Sequence, residues 1–171
     1  MAETVTDLLA KELPLQGRGP FRPCMTRELT ISGGDVGGSQ GFPDFVKKFT
    51  EKGRQLGLSP ERAELLVHRY GSNVTKVLDR IQNDPDNGHE LPADIRAELL
   101  YCIEEEMAVK PVDFLIRRTG SLLFDIAWVK QWKEPILQFM ADQLQYSEEQ
   151  KRLYKEELEL ELKATGMPAT D

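Results

Sequence analysis

The stretch from Arg96 to Asp125, RAELLYCIEEEMAVKPVDFLIRRTGSLLFD, constrains this chain most, because it joins the densest apolar content to the tightest grouping of charge. Leu99, Leu100, Ile103 and Met107, then Val112, Leu115 and Ile116, recur at helical spacing. Proline lacks an N–H and disfavours helical backbone in the residue before it. Pro111 is therefore expected to open a second helix after a break at Val109-Lys110. The two helices offer Glu104, Glu105 and Glu106 against Arg117 and Arg118. A carboxylate drawn towards a core is costly to desolvate unless an arginine faces it. Structural charge pairing among Glu105, Glu106, Arg117 and Arg118 is the expectation, with the other charges on solvated faces.

The length of 171 residues suits one core with an irregular arm rather than two domains. A net charge of −7 and a pI near 5.0 argue against nucleic acid as a partner, since phosphate neutralisation requires Lys and Arg. No apolar run has the length of a membrane span, and the first residues, MAETVTDLLAKEL, lack the basic start of a signal peptide. A cytoplasmic address is the expectation. Cys24 and Cys102 lie far apart without ligand spacing, which disfavours a disulfide framework or a zinc site.

In chain order, Glu3–Leu13 reads as a short amphipathic helix ended by Pro14. The glycines and prolines between Leu15 and Phe42 describe an irregular arm, with Glu28–Ile31 as one short strand and Ile31-Ser32-Gly33-Gly34 as its turn. GGDVGG is not followed by the Lys-Ser/Thr of a phosphate-binding loop. A helix is expected over Pro43–Leu56. Ser59-Pro60-Glu61 starts another that ends at Gly71, and Ser72 or Asn73 caps a third through Ile81. Asp84, Asp86, Asn87 and Glu90 lie in a polar loop that lacks the EF-hand register. His68 and His89 have no nucleophile or carboxylate placed beside them by sequence. Leu122–Leu144 reads as a long amphipathic segment kinked or restarted at Pro135, with Trp128 and Trp132 on a face that could meet a partner. Ser147 caps a last helix closed by Gly166 and Pro168.

The fold class is thus all-α: six to eight short helices over residues 43–171 behind an irregular Gly/Pro-rich N-terminal helix and arm over residues 1–42. The residues assemble no nucleophile–base pair, metal cluster or dinucleotide fingerprint.

Particular motifs go further. Cys24-x-Thr26 with Ser32-Gly33-Gly34-Asp35, Arg69-Tyr70-Gly71-Ser72-Asn73, Ala97-Glu98 with Glu105-Glu106-Met107-Ala108, and Asp113-Phe114-Leu115-x-Arg117-Arg118-Thr119 occur in that order. Together they resemble the C-terminal region of FAD-dependent glycerol-3-phosphate dehydrogenases and the related glycerophosphate oxidases. The resemblance implies a full-length enzyme that oxidises sn-glycerol 3-phosphate to dihydroxyacetone phosphate. Two electrons would pass to flavin and onward to quinone or oxygen. The family's flavin-binding glycine motif and its substrate-binding residues have no counterpart here, so no catalytic, cofactor-binding or metal role falls on any residue of this chain. FAD is expected in the full-length enzyme and none in this fragment. The implied partner is the enzyme's own N-terminal flavin domain, with room for homodimer contacts and, for the whole enzyme, a peripheral position at the inner face of the cell membrane. An autonomous acidic interaction module docking through Trp128 and Trp132 is the alternative. Lys110 stands where many members of the family carry Thr, which removes the expected N-cap of the helix at Pro111.

Overall fold

The computed structural model describes residues 2–17, 19–84 and 90–165. It is all-α, with eight α-helices, two 3₁₀ turns and one π-helical segment, and no strand among the described residues.

The N-terminal helix α1, Ala2–Glu12, runs into a 3₁₀ turn over Leu13–Gln16 that contains Pro14. None of its residues is buried. The strand expected over Glu28–Ile31 does not form. Met25 O accepts from both Glu28 N and Leu29 N, which closes a tight turn, and no neighbouring strand offers a ladder. The turn expected at Ile31–Gly34 is present, with Gly34 N donating to Ile31 O at 2.8 Å.

Helix α2, Gly38–Gln55, begins five residues before Pro43, where it was expected to start. Gly37, at φ +77°, turns the chain into it, and the Gly37 carbonyl accepts from Gly41 N. Pro43 therefore sits inside the helix. Phe45, Val46, Phe49 and Leu56 pack against the core, as the apolar stripe requires. Helix α3, Pro60–Tyr70, crosses close to α2 because Gly53 presents no side chain: a methyl there would lie 2.8 Å from Ala63 Cβ. Ser59 Oγ accepts from Arg62 N at 3.2 Å, the N-cap expected from sequence.

A 3₁₀ turn at Gly71–Asn73 leads into α4, Val74–Gln82. Asn73 does not cap that helix with its side chain. Its Nδ2 donates instead to Ser32 Oγ at 2.8 Å, while Ser72 N donates to Gly33 O at 2.9 Å. The arm is thereby seated on the α3–α4 junction, and Gly33 and Gly71 make the contact possible. A Cβ on Gly33 would lie 2.7 Å from Tyr70 O, and one on Gly71 would lie 2.0 Å from Gly33 O. Asp86, Asn87 and His89 of the polar loop, and Gly166 and Pro168 at the end, lie outside the described residues.

Helix α5, Ala93–Glu106, ends where Met107 turns left-handed at φ +56°. The N–H groups of Met107 and Ala108 both reach back to Cys102 O. The hinge at Val109–Pro111 follows, and then the π-helical segment Asp113–Arg118. Its start lacks the Thr cap, but Asp113 supplies the other half of a capping box: Oδ2 accepts from Val109 N at 3.1 Å and Lys110 N at 3.2 Å.

A short helix α6, Ser121–Phe124, is separated from α7, Ile126–Leu144, by Asp125, whose carboxylate caps α7 through Trp128 N at 3.1 Å. The break thus falls at Asp125, and Pro135 lies within one continuous helix rather than at a fresh start. Helix α8, Glu148–Thr165, opens on a reciprocal capping box: Ser147 Oγ accepts from Gln150 N, and Gln150 Oε1 accepts from Ser147 N. The core gathers Leu66, Val67, Val74, Leu78, Leu99, Phe114, Leu115, Leu122, Val129, Ile136, Met140 and Leu158 from α3 to α8.

Candidate functional site

The most heavily buried charge in the described chain is Glu98, in the middle of α5 with none of its surface exposed. It occupies the apolar stripe Ile95, Leu99, Cys102, all three of them buried. Helix α3 supplies its partners. Arg62 Nη2 donates to Oε2 at 2.8 Å, Arg69 Nη1 to Oε1 at 2.5 Å, and the Tyr70 hydroxyl to Oε1 at 2.9 Å. Arg62 Nε also donates to Asp94 Oδ2 at 2.6 Å, and Arg69 Nη2 reaches Thr119 O beyond the π-helical segment. One carboxylate thus couples α3 to α5, and Arg69 extends the tie to the end of the π-helical segment.

The electrostatics follow from this geometry. Burial works against the Glu98 charge, but the guanidinium groups of Arg62 and Arg69 outweigh it and hold the carboxyl below its ordinary value of 4.5. Burial likewise opposes the charge on Arg62, and Glu98 and Asp94 overcome it. The Tyr70 phenol is pushed well above its ordinary range by burial and then by the negative Glu98 beside it. Burial pushes the Cys102 thiol up to about 12. The cluster therefore holds an ionised carboxylate saturated by donors, a protonated phenol and a protonated thiol. None of these is a nucleophile or a general base near neutral pH.

A thiol titration checks this directly. Native chain treated with a thiol reagent at pH 7.5 should show one fast-reacting group, the exposed Cys24, while the buried Cys102 reacts only after unfolding. Two groups of equal rate would contradict the described packing.

Glu105, Glu106, Arg117 and Arg118 lie around one cleft of about 500 Å³ beside this cluster, with Lys76, Tyr101 and Ser32. Their pairing differs from the simplest sequence expectation. Glu106 and Arg118 do face one another across the hinge: Arg118 Nε is 3.2 Å from Glu106 Oε2, unaligned for a hydrogen bond, and Nη2 donates to Glu106 O at 2.5 Å. Glu105 instead turns to α4, accepting from Lys76 Nζ at 2.7 Å, and Glu104 accepts from Arg80 Nη2 at 2.5 Å. Arg117 pairs with Asp113, one helical turn back. The π-helical winding, marked by Thr119 N donating to Phe114 O, aims adjacent arginines at different partners.

His68 is exposed and edge-on to Phe42, and the structure sets the Glu64 carboxylate 3.6 Å from it, one helical turn back, where none is expected from the sequence alone. No group of three or more His, Cys, Asp or Glu residues is placed to hold a metal ion among the described residues. Trp128 and Trp132 are partly buried and packed against the core rather than presented as an open face.

The model of the C-terminal domain of alpha-glycerophosphate oxidase matches residues 24–151. The chain belongs to that family. Among curated members it is 43% identical over 160 residues to the aerobic glycerol-3-phosphate dehydrogenase of Bacillus subtilis, and it is 43% identical to that of Staphylococcus epidermidis. These alignments cover 92% and 94% of the chain but only 29% of either relative. A solved glycerol-3-phosphate dehydrogenase from Bacillus halodurans, complexed with FAD, superposes with a TM-score of 0.87 at 38% identity, over 99% of this chain and 34% of that one. The chain thus spans under a third of the length of the curated relatives it matches, and the Glu98 cluster, the hinge and the arm all fall within or beside the stretch that matches the family model.

The Glu98 cluster was legible only in part. Glu98, Arg69 and Tyr70 stand within the motifs that carry the family resemblance, yet their meeting depends on how α3 packs on α5. The available signal was a lone acid in phase with the apolar stripe of α5, facing two arginines seven residues apart on α3.

Proposed function

We propose that this chain is the non-catalytic C-terminal helical domain of an FAD-dependent glycerol-3-phosphate dehydrogenase, whose full-length form oxidises sn-glycerol 3-phosphate to dihydroxyacetone phosphate. The carrying observation is the combination of a family match over residues 24–151 with a span of only 29% of the relatives' length. The chemistry of the chain's own groups supports it. Glu98, Tyr70 and Cys102 are locked in protonation states suited to holding helices together.

The residues present do not fit a flavin dinucleotide. The glycine-rich segment builds backbone contacts instead: Gly33 lies against Tyr70 O and Gly37 turns the chain into α2. No strand–glycine turn–helix unit exists among the described residues. The domain's task in this reading is to pack on the flavin-binding portion and stabilise it. The whole enzyme would work at the inner face of the cell membrane, although no described helix of this chain is long and apolar enough to cross one.

Purified alone, the chain should be colourless, helical by circular dichroism and inactive on glycerol 3-phosphate with an artificial electron acceptor. A purified full-length form should carry about one flavin per chain. Stoichiometric flavin in the 171-residue chain would overturn the reading. So would a natural open reading frame that lacks any flavin-binding portion.

A further inference from the structure

Phe124 is 88% exposed and Met107 81%, the highest values among the large apolar side chains of the described helical body, and Ile31 of the arm matches them at 81%. Exposing one such residue is ordinary; here each of the three belongs to a segment that borders one cleft, and the Phe124 ring lies against Gly120, 3.3 Å from where a Cβ there would stand. Ser32, next to Ile31, and Glu106, next to Met107, both line the cleft of about 500 Å³, as do Arg117 and Arg118, which run through Gly120 into α6 and Phe124. The backbone holds these residues outward. Met107 is left-handed without being glycine, fixed by its N–H bond to Cys102 O, and left-handed Gly120 starts α6 with Phe124 at its end. The arm borders the same cleft through Ser32, seated by the Ser32–Asn73 and Gly33–Ser72 hydrogen bonds.

We infer that the face bearing Ile31, Met107 and Phe124 is the surface on which the flavin-binding portion of the longer enzyme sits. This rests on the functional reading above. The occupant follows from chain geometry. The family model describes a C-terminal domain, and the relatives extend well beyond the 29% that this chain covers. The preceding portion therefore joins through α1 and the arm, and the arm's anchorage at Ser32 and Gly33 places the tether beside this cleft. Helix α1, which buries none of its own residues and exposes Val5, Leu8 and Leu9, lies on the tether itself. The interface has an apolar rim around a charged floor, in which Arg117 keeps 59% of its side chain open to a partner's carboxylate or carbonyl groups.

Hydrogen exchange compared between the 171-residue chain and the full-length holoenzyme tests this. The expected result is slowing of about tenfold or more at residues 29–34, 107–109 and 120–124 in the holoenzyme, with the outer face of α8 around Leu160 unchanged. The double variant Met107→Glu with Phe124→Glu should leave the melting of the 171-residue chain unaltered and lower that of the holoenzyme. Leu160→Glu should lower neither. Slowing confined to α7 or α8 overturns the inference. Concentration-dependent protection of the same patch in the 171-residue chain also overturns it, by assigning the face to a second copy. A full-length protein that binds no flavin fails the functional reading instead, which the flavin content of the same sample reports separately.

Discussion

Glu98→Gln should lower the unfolding free energy by about 3–5 kcal/mol, because it leaves the partly buried Arg62 and Arg69 without the charge that compensates them. Glutamine preserves the shape and one acceptor oxygen, so the loss is electrostatic rather than steric. Against a domain stability of about 5–15 kcal/mol the urea midpoint should fall far enough to read easily. A change under about 1 kcal/mol would mean that the guanidinium groups find water or other partners, and that the cluster is not the clamp described here.

The same residue sets an acid limb. The Glu98 carboxyl is held below 4.5 in the folded chain, so the unfolded chain takes up its proton first as pH falls. The contribution of Glu98 is complete above its unfolded value and is lost as pH falls through its folded value. Stability measured from pH 6 down to pH 3 should decline more steeply in the wild type than in Glu98→Gln. Parallel profiles would place the acid sensitivity in other carboxylates.

Gly71→Ala should cost about 3 kcal/mol or more. Two effects combine. Gly71 has φ +52° and ψ −133°, a region that side chains avoid, and the new Cβ would lie 2.0 Å from Gly33 O. The atom it meets is backbone, so no side chain can swing away to relieve the clash. Part of the strain can be relieved by lifting the arm off, which would expose Ser72 N to exchange while the helical body stays folded. Thermal melting with exchange at Ser72 separates the two costs. A variant that melts like the wild type and keeps Ser72 protected would refute the seam.

Local signals carried most of the fold. Ser59, Ser147 and the helix stop at Gly71 were readable because a cap depends on residues three or four apart. The failures came where tertiary contact overrode local preference. Asn73 resembles a cap in sequence, but its amide is engaged by Ser32, forty-one residues away. Pro43 resembles a helix start, yet the glycines before it supply the turn at Gly37 that lets α2 begin earlier. Asp125 is masked in the sequence by continuously apolar neighbours, although one carboxylate at Trp128 N suffices to divide α6 from α7. The hinge charges were recognised as a group but not as pairs, since π-helical winding rotates Arg117 and Arg118 away from the positions that an α-helix would give them.

The seam between Gly33 and Gly71 can close only late in synthesis. A ribosome releases a chain from its N-terminus, so in the longer polypeptide the arm emerges before α3 and α4 exist to receive it. Gly33 must wait for Tyr70, Gly71 and Ser72, and the Glu98 clamp that steadies α3 must wait for α5. The face bearing Ile31, Met107 and Phe124 is whole only once residues 107–124 have followed. If that face receives the flavin-binding portion as proposed, docking waits until residues 107–124 have been made.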